Sequence, residues 1–314
     1  MEASPFIFLG DALAQGLQGA LLTITRVEGG GPRPVGTHMA VLSDGRYSGY
    51  LSGGCVEPAV AAEVKLCLAR GKDELLRFGA GSPFFDIRFP CGGGIEVLVH
   101  VRPDPAMIDR VLRALERRTP FNIVFDPAAG SAEVQPFHRP QGWHGETFTR
   151  AVRPRTRLLL VGRGPELETL ARVGIAADFD VVVATPDAAL MSDYPQRIEL
   201  SSSSMDWKPP IDPWTATVLL FHQHEWEDPI LRRVLIEPGF YLGALGSRRT
   251  HEGRRIRLLG AGLPGEMVDR IRGPIGWLPQ SRDPATLALS VLAEISASRA
   301  EFDAMDLPVA TAAP

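Results

Sequence analysis

The sequence predicts an α/β protein: a small mixed α+β N-terminal domain followed by a Rossmann-like domain with a doubly wound parallel sheet. Two observations lead to this prediction. In the second half, the apolar residues 157–161 run directly into Gly162 and Gly164 and then into a helical pattern, which is typical of the first strand and helix of a doubly wound domain. In the first half, short strand patterns alternate with amphipathic helices and a hairpin turn at residues 43–45.

The N-terminal elements follow from hydrophobic periodicity. Apolar residues recur on one helical face at Val60, Val64, Cys67 and Leu68, and Gly71 is a typical helix end. Cys67 is therefore interpreted as a core residue. Strands are predicted at residues 20–27, 37–42, 46–51 and 95–101, and a further helix at residues 105–116.

The domain boundary is placed in a weakly periodic stretch. Residues 126–156 are rich in Pro, Gly, Arg and His, although a strand at 132–137 stays open. We therefore expect an N-terminal domain over residues 1–150, with a linker from about residue 127, and a C-terminal domain over 151–314.

The C-terminal elements alternate between strand and helix. Asp283 as N-cap and Pro284 at the first helical position mark the start of a last helix that is apolar as far as Ile295. Strands are predicted at 157–161, 181–184, 217–221 and 241–245, and further helices near 229–236 and 248–259.

Composition excludes several classes of function. A net charge of −4 gives no electrostatic support for binding nucleic acid or an anionic membrane. No apolar run approaches the ~20 residues of a membrane span. The first residues include Glu2 and Asp11 and lack the basic region of a secretory signal, and the three cysteines are unclustered. The sequence therefore predicts a cytoplasmic protein with reduced thiols.

Two glycine-rich turns each contain a cysteine, and they are the main candidate site. Bare backbone lets N–H groups approach an anion, and a thiolate in such a turn reacts or binds metal. The candidate residues of the two turns are Gly53, Gly54, Cys55, Cys91, Gly92 and Gly93.

Alternatives stay open at each turn. Cys55 precedes a helix start, which attracts anions and lowers a thiol pKa, but a small residue filling a tight turn explains it too. Glu57 is either an acid or base, which makes it a catalytic candidate with Cys55, or a capping carboxylate. The glycines after Cys91 indicate backbone packed against a ligand or only against a neighbouring strand. Arg33, in a Gly- and Pro-rich loop, either meets an anion or belongs to a plain connection.

The second half adds three ligand candidates at predicted strand ends. His222 and His224, two residues apart, are expected to point the same way from a strand and to contact a ligand. The segment Gly246, Ser247, Arg248 and Arg249 opens a helix and is predicted to hold a phosphate, with a capped helix and solvated arginines as the alternative. The glycine fingerprint at 162–167 lacks its third glycine, so NAD(P) binding is doubtful.

Taken together, these motifs resemble the XdhC/CoxI family of xanthine dehydrogenase accessory factors, from about residue 20 to 299. The resemblance rests on five segments in order: Gly-Cys-Val-Glu at 54–57, Cys-Gly-Gly-Gly at 91–94, Tyr-Leu-Gly-Ala-Leu-Gly-Ser-Arg-Arg at 241–249, Gly-Pro-Ile-Gly at 273–276 and Leu-Ala-Glu-Ile at 292–295. Members more often show Gly-Ala-Gly-His where this chain has residues 162–165, and Asp-Pro-Arg where it has 185–187.

The resemblance implies a chaperone that binds molybdopterin as molybdenum cofactor, supports its sulfuration and delivers it to an apo molybdenum hydroxylase. It also implies a homodimer and contact with a cysteine desulfurase. Thiolates suit soft metals, so Cys55 and Cys91 are expected to approach the molybdenum, while His222 and His224 line the same cleft. The alternatives are an NAD(P)-dependent oxidoreductase and a sulfurtransferase with a persulfide on Cys55; a non-catalytic accessory role is favoured over an enzyme.

Overall fold

The protein forms two compact units, Met1–Pro154 and Arg155–Pro314. The computed structural model describes residues 3–30, 33–54, 56–82, 92–187, 194–201, 207–278 and 283–305. Within those ranges, none of the helices has the length and apolarity that crossing a bilayer demands.

The N-terminal unit is built on a five-stranded antiparallel sheet in the order β3-β2-β1-β5-β4. Its central strand β1 is buried from Gly19 to Thr25, because layers cover both faces of the sheet. The strands are β1 Gly19–Glu28, β2 His38–Leu42, β3 Tyr47–Gly49, β4 Glu74–Gly79 and β5 Gly94–Val101.

Helix α2 (Glu57–Arg70) covers one face of this sheet, with Val60, Val64 and Cys67 in the core as the periodicity predicts. Helices α1 (Ser4–Ala14) and α3 (Pro105–Glu116) cover the other face together with a second sheet.

This second sheet shows that the predicted linker from about residue 127 is wrong. Four antiparallel strands in the order β7-β6-β9-β8 occupy most of the stretch. Phe125 and Phe148 are fully buried, while β7 alternates between exposed and half-buried residues. Short hairpins with one solvated face give weak apolar periodicity, which explains the error. The strands are β6 Phe121–Asp126, β7 Ser131–Pro136, β8 Gly142–His144 and β9 Thr147–Val152.

The C-terminal unit contains a six-stranded sheet in the order β12-β11-β10-β13-β14-β15, with every neighbouring pair parallel. This is the strand order of a doubly wound dinucleotide-binding fold and confirms the predicted fold class. The strands are β10 Arg157–Gly162, β11 Asp180–Thr185, β12 Arg197–Glu199, β13 Thr215–Leu220, β14 Tyr241–Ala244 and β15 Ile271–Arg272.

Helices cover both faces of the parallel sheet. The last helix begins as the sequence predicts, because the Asp283 carboxylate accepts a hydrogen bond from the Thr286 N–H. One apolar layer includes α4 and α8, and the opposite layer includes α5 and α6. The helices are α4 Pro165–Ala176, α5 His224–Val234, α6 Arg248–Gly260, α7 Gly265–Val268 and α8 Pro284–Ala304.

Candidate functional site

Both cysteine turns leave the same edge of the N-terminal sheet. Strands β1, β3 and β4 end at this edge, and β2 and β5 begin there, because all neighbouring strands are antiparallel. Gly94 at the start of β5 pairs with Glu28 at the end of β1 and with Gly79 at the end of β4. The loop after β3 and the loop before β5 are thus brought to one side by register alone.

The two cysteines themselves, Cys55 and Cys91, lie outside the described residues, but their flanking glycines are described. Gly54 has φ +103° and Gly92 has φ +70°, a conformation that favours glycine. A Cβ added to Gly53, Gly54 or Gly92 would meet no atom within 4 Å. These three glycines therefore expose bare backbone on the open side of the turns.

Gly93 and Gly94 serve packing instead. A Cβ on Gly93 would lie 2.7 Å from the Glu28 carbonyl oxygen, and one on Gly94 would lie 2.9 Å from the Ala80 carbonyl oxygen. Part of the glycine run after Cys91 is therefore explained by close contact with neighbouring strands, one of the two alternatives that the sequence left open.

Glu57 closes the loop that contains the first cysteine. Its side chain is fully buried, and its carboxylate accepts hydrogen bonds from the Ser52 N–H (2.7 Å), the Ser52 hydroxyl (2.9 Å) and the Val56 N–H (3.2 Å). The carboxylate therefore ties both ends of the loop to the first turn of α2, which supports the capping interpretation of this residue.

Arg33 also contacts this loop. Its Nε donates to the Ser52 carbonyl oxygen at 3.3 Å, and its side chain is part-buried. A buried carboxylate disfavours a second negative charge close by, so a thiolate or anion at this loop depends on a cation such as Arg33.

Cys67 is a core residue, as predicted. It is fully buried in the cluster between α2 and the sheet, and burial raises the pKa of its thiol. It provides an internal control for any experiment on the other two thiols.

In the C-terminal unit, the predicted ligand segments follow the carboxyl ends of parallel strands. Gly162 ends β10, His222 follows β13, Gly246 follows β14 and Gly273 follows β15. Ligands of doubly wound folds bind at this edge, at the point where strand order reverses between β10 and β13.

The turn after β10 keeps the packing features of a dinucleotide fingerprint but not its charge. A Cβ on Gly162 would lie 2.6 Å from the Leu220 carbonyl oxygen, and Gly164 has φ +90°. Leu167, which replaces the third glycine, is fully buried. Glu166 and Glu168 occupy the first turn of α4, where negative charge competes with a pyrophosphate.

Aromatic side chains and an arginine fill the neighbouring space. Phe221 and Trp226 stack with centroids 5.6 Å apart, and the Arg163 guanidinium lies 5.8 Å and 5.7 Å from the two ring centroids. Arg163 also donates to the Gln223 side-chain oxygen at 3.2 Å. Arg163 is therefore held by contacts within the unit.

The geometric argument for His222 and His224 is wrong. Strand β13 ends at Leu220, and His224 is the first residue of α5. The two-residue repeat of a strand therefore does not apply to them. Both side chains are exposed, and the His224 Nδ1 lies 3.8 Å from a Glu227 carboxylate oxygen.

The helix start at Ser247 has the predicted cap. The Ser247 hydroxyl accepts from the Thr250 N–H at 3.2 Å, and Gly246 has φ +136°. Arg248 and Arg249 are exposed, and no ion pair to either is found within the described ranges. Donors and positive charge are thus present, but these features equally suit a plain capped helix.

Sequence reasoning missed the buried ion pair that supports this loop. Arg254 and Glu227 are almost completely buried, and the Arg254 Nε donates to the Glu227 carboxylate. Arg254 also donates to the Leu245 carbonyl oxygen at 2.7 Å, which connects α5 and α6 to the loop before Ser247. The only local signal was the occurrence of charged residues on otherwise apolar helix faces.

Glu294 was missed in the same way. This buried carboxylate accepts from the Gly276 N–H at 2.6 Å and the Tyr241 hydroxyl at 3.1 Å. Burial raises the pKa of Tyr241 far above its ordinary value, and the nearby Glu294 charge adds to the shift. The Gly-Pro-Ile-Gly and Leu-Ala-Glu-Ile segments are therefore two halves of one structural contact.

Among the described residues, no group of three His, Cys, Asp or Glu side chains is placed to hold a metal ion. This finding does not extend to Cys55 and Cys91.

Fold and loops define a protein with an antiparallel N-terminal unit and a Rossmann-type C-terminal unit. Sequence profiles assign both: residues 12–79 match the XdhC and CoxI family, and residues 158–295 match the XdhC Rossmann domain. The chain belongs to the XdhC and CoxI family, which confirms the resemblance.

Individual relatives agree. The chain is 39% identical over 93% of its length and 87% of the relative to the molybdenum cofactor insertion chaperone PaoD of Escherichia coli K12. It is 25% identical, over 92% of its length and 96% of the relative, to a Bacillus subtilis 168 protein described as one of the probable subunits of xanthine dehydrogenase. A crystal structure described as a xanthine dehydrogenase from Bacillus halodurans shares the fold, with a TM-score of 0.73, 21% identity and 98% of each chain covered.

Proposed function

We propose that this protein is a molybdenum cofactor chaperone that hands the cofactor to a molybdenum hydroxylase. The observation that carries the proposal is the family relation over nearly the whole chain, in particular to a chaperone named for cofactor insertion. The placement of both cysteine turns at one sheet edge supports it, because an anionic ligand with a soft metal needs exposed backbone donors and thiolates together.

Each part of the first turn has a distinct role in this proposal. The glycines present N–H groups, Cys55 supplies the thiolate, and Glu57 holds the loop in shape through Ser52 and Val56. Whether Cys55 ligates molybdenum, carries sulfur or shapes the loop defines three variants of the function. Cys91 at the second turn is proposed as a further thiol near the metal.

The finer parts of the function are also proposals. Sulfuration of the cofactor requires a sulfur donor, for which a cysteine desulfurase is the proposed partner. A homodimer and a cytoplasmic location complete the picture, in keeping with the reduced thiols that such chemistry needs. The helix start at Ser247 remains the location that the sequence predicts for the phosphate of the cofactor.

The test is cofactor retention and transfer. The full chain is purified anaerobically from a molybdate-fed host, its pterin and molybdenum are quantified, and it is added to an apo molybdenum hydroxylase. We expect the wild-type chain to carry cofactor and activate the hydroxylase, and Cys55→Ala to lose most of the bound molybdenum.

Cys67→Ala is the matched control, since Cys67 is buried in the core and has no role in the proposal. It should keep its cofactor. A wild-type chain that neither carries cofactor nor activates the hydroxylase would overturn the chaperone function. Equal cofactor in Cys55→Ala would overturn only the thiolate role.

A further inference from the structure

A cavity of about 600 Å³ opens in the N-terminal unit next to the loop that contains the first cysteine. Its wall includes Tyr47 and Tyr50, which precede that loop directly, and Arg33, which donates to the Ser52 carbonyl oxygen. The volume lies in the range of small-molecule sites. All lining residues belong to this one unit.

The cavity is a built feature rather than a surface crease. Gly36 has φ +87°, and a Cβ there would lie 2.7 Å from the Arg150 Cδ; Gly49 has φ +92°, and a Cβ there would lie 2.7 Å from the His38 carbonyl oxygen. Any larger residue at either position would displace the wall. Arg150 is further held by its bonds to the Gln141 side chain (2.7 Å) and the Ala151 carbonyl oxygen (2.6 Å).

A buried polar atom in the wall indicates a ligand. His38 is only 6% exposed, its Nδ1 lies 3.0 Å from the Thr23 hydroxyl, and its Nε2 has no hydrogen-bond partner within the described ranges. A buried ring nitrogen without a partner is costly, so a ligand that supplies one stabilises the site.

The charge of the cavity is positive. Arg33 and Arg150 line it, and no hydrogen bond to the two terminal nitrogens of Arg33 is found among the described residues. A guanidinium with both terminal nitrogens available suits bidentate contact with a phosphate. Tyr47 and Tyr50 are 37% and 51% exposed and offer flat faces to a ring.

We propose that this cavity binds a phosphate ester of a planar heterocycle, and that its ligand is the phosphorylated pterin of the cofactor, with Arg33 on the phosphate and Tyr50 on the ring. This inference rests on the proposed function. It places the pterin beside the loop of the first cysteine, and it competes with the helix start at Ser247 as the phosphate site.

The experiment measures binding of molybdenum cofactor, extracted anaerobically from a purified molybdenum hydroxylase, to the full chain by equilibrium dialysis with pterin fluorescence. We expect Arg33→Gln and Tyr50→Ala each to weaken binding about tenfold or more. Arg33→Lys should recover only part of the loss, because it keeps the charge but not the fork.

Two controls make the result decisive. Arg110→Gln removes an exposed arginine of α3 in the same unit and should leave binding unchanged. The double variant Arg248→Gln, Arg249→Gln tests the competing helix start and should change binding less than Arg33→Gln. Circular dichroism on each variant confirms that the chain is folded.

Competition distinguishes the source of the phosphate. Weak displacement of the cofactor by CMP and by inorganic phosphate supports a pterin site, whereas displacement by CMP at cofactor-like concentrations shows a nucleotide site and overturns the assignment. Normal binding by folded Arg33→Gln and Tyr50→Ala, with cofactor transfer intact, overturns the cavity but leaves the chaperone function standing. A wild-type chain without cofactor affinity overturns both.

Discussion

The two units solve the same structural problem with different charge arrangements. Each brings its candidate loops to one edge of a sheet and holds them with buried carboxylates: Glu57 in the N-terminal unit, Glu227 and Glu294 in the C-terminal unit. In the C-terminal unit, Arg254 and Arg257 are engaged by carboxylates. In the N-terminal unit, Glu57 is held by neutral donors, which leaves Arg33 available.

The difference teaches where anion binding is to be expected. A glycine fingerprint in the C-terminal unit suggests a nucleotide, but the first turn of its helix is acidic and the nearby Arg163 contacts Phe221 and Trp226. The N-terminal unit has no such fingerprint, yet it contains the cavity with Arg33. Backbone pattern and charge thus point to different units, and charge is the better guide to an anionic ligand.

The largest expected effect comes from breaking the buried pair of the C-terminal unit. Arg254→Met leaves the Glu227 carboxylate buried without its main partner, so we expect a loss of about 3–5 kcal/mol in unfolding free energy. Urea denaturation followed by tryptophan fluorescence measures it, because four of the five tryptophans lie in this unit.

Arg249→Gln is the control for this pair, as an exposed arginine on the same helix, with an expected change within about 0.5 kcal/mol. If Arg254→Met were as stable as this control, the pair would not hold the loops of the C-terminal unit, and the comparison between the units would fail.

A smaller effect is expected at Glu57. Glu57→Ala leaves the buried Ser52 and Val56 N–H groups without their acceptor, at a cost of about 1–3 kcal/mol, and should lower cofactor retention. Glu57→Gln keeps one side-chain oxygen as acceptor and should restore much of the retention. Chemical denaturation and pterin content are measured on both variants.

This pair of variants decides between the two interpretations of Glu57. A positioning role predicts partial rescue by glutamine. If Glu57→Gln folded normally but retained no more cofactor than Glu57→Ala, the carboxylate would act as an acid or base.

The smallest effect is a pH dependence in the N-terminal unit. Burial, together with the Arg150 charge, lowers the pKa of His38 from 6.5 to about 3. The unfolded chain therefore binds a proton that the folded chain does not, so stability is fully present above about pH 6.5 and is lost as the pH falls toward 3. By about pH 5.5 this loss reaches about 1.4 kcal/mol.

The measurement is denaturant unfolding at a series of pH values for wild type and His38→Gln. The variant should lack this one-proton dependence, whatever its absolute stability, while the exposed His138→Gln should follow the wild type. Parallel pH curves for wild type and His38→Gln would show that His38 is not the buried neutral residue of the cavity wall.

The sequence by itself determined the features that depend on local pattern. The doubly wound order, the caps at Ser247 and Asp283 and the core position of Cys67 all follow from periodicity or from side chains that bond to the backbone a few residues away. The family motifs placed the candidate turns. The linker from about residue 127 failed because short solvated hairpins give almost no periodic signal.

Only the tertiary structure decided which polar residues act together. Glu294 meets Tyr241 and Gly276, and Arg150 meets the loop of Arg33 and His38, across long separations in the chain. Such pairs carry no local spacing, and each partner alone looks like an ordinary charged residue. Their energy comes from shared burial, which exists only after the strands and helices have packed together.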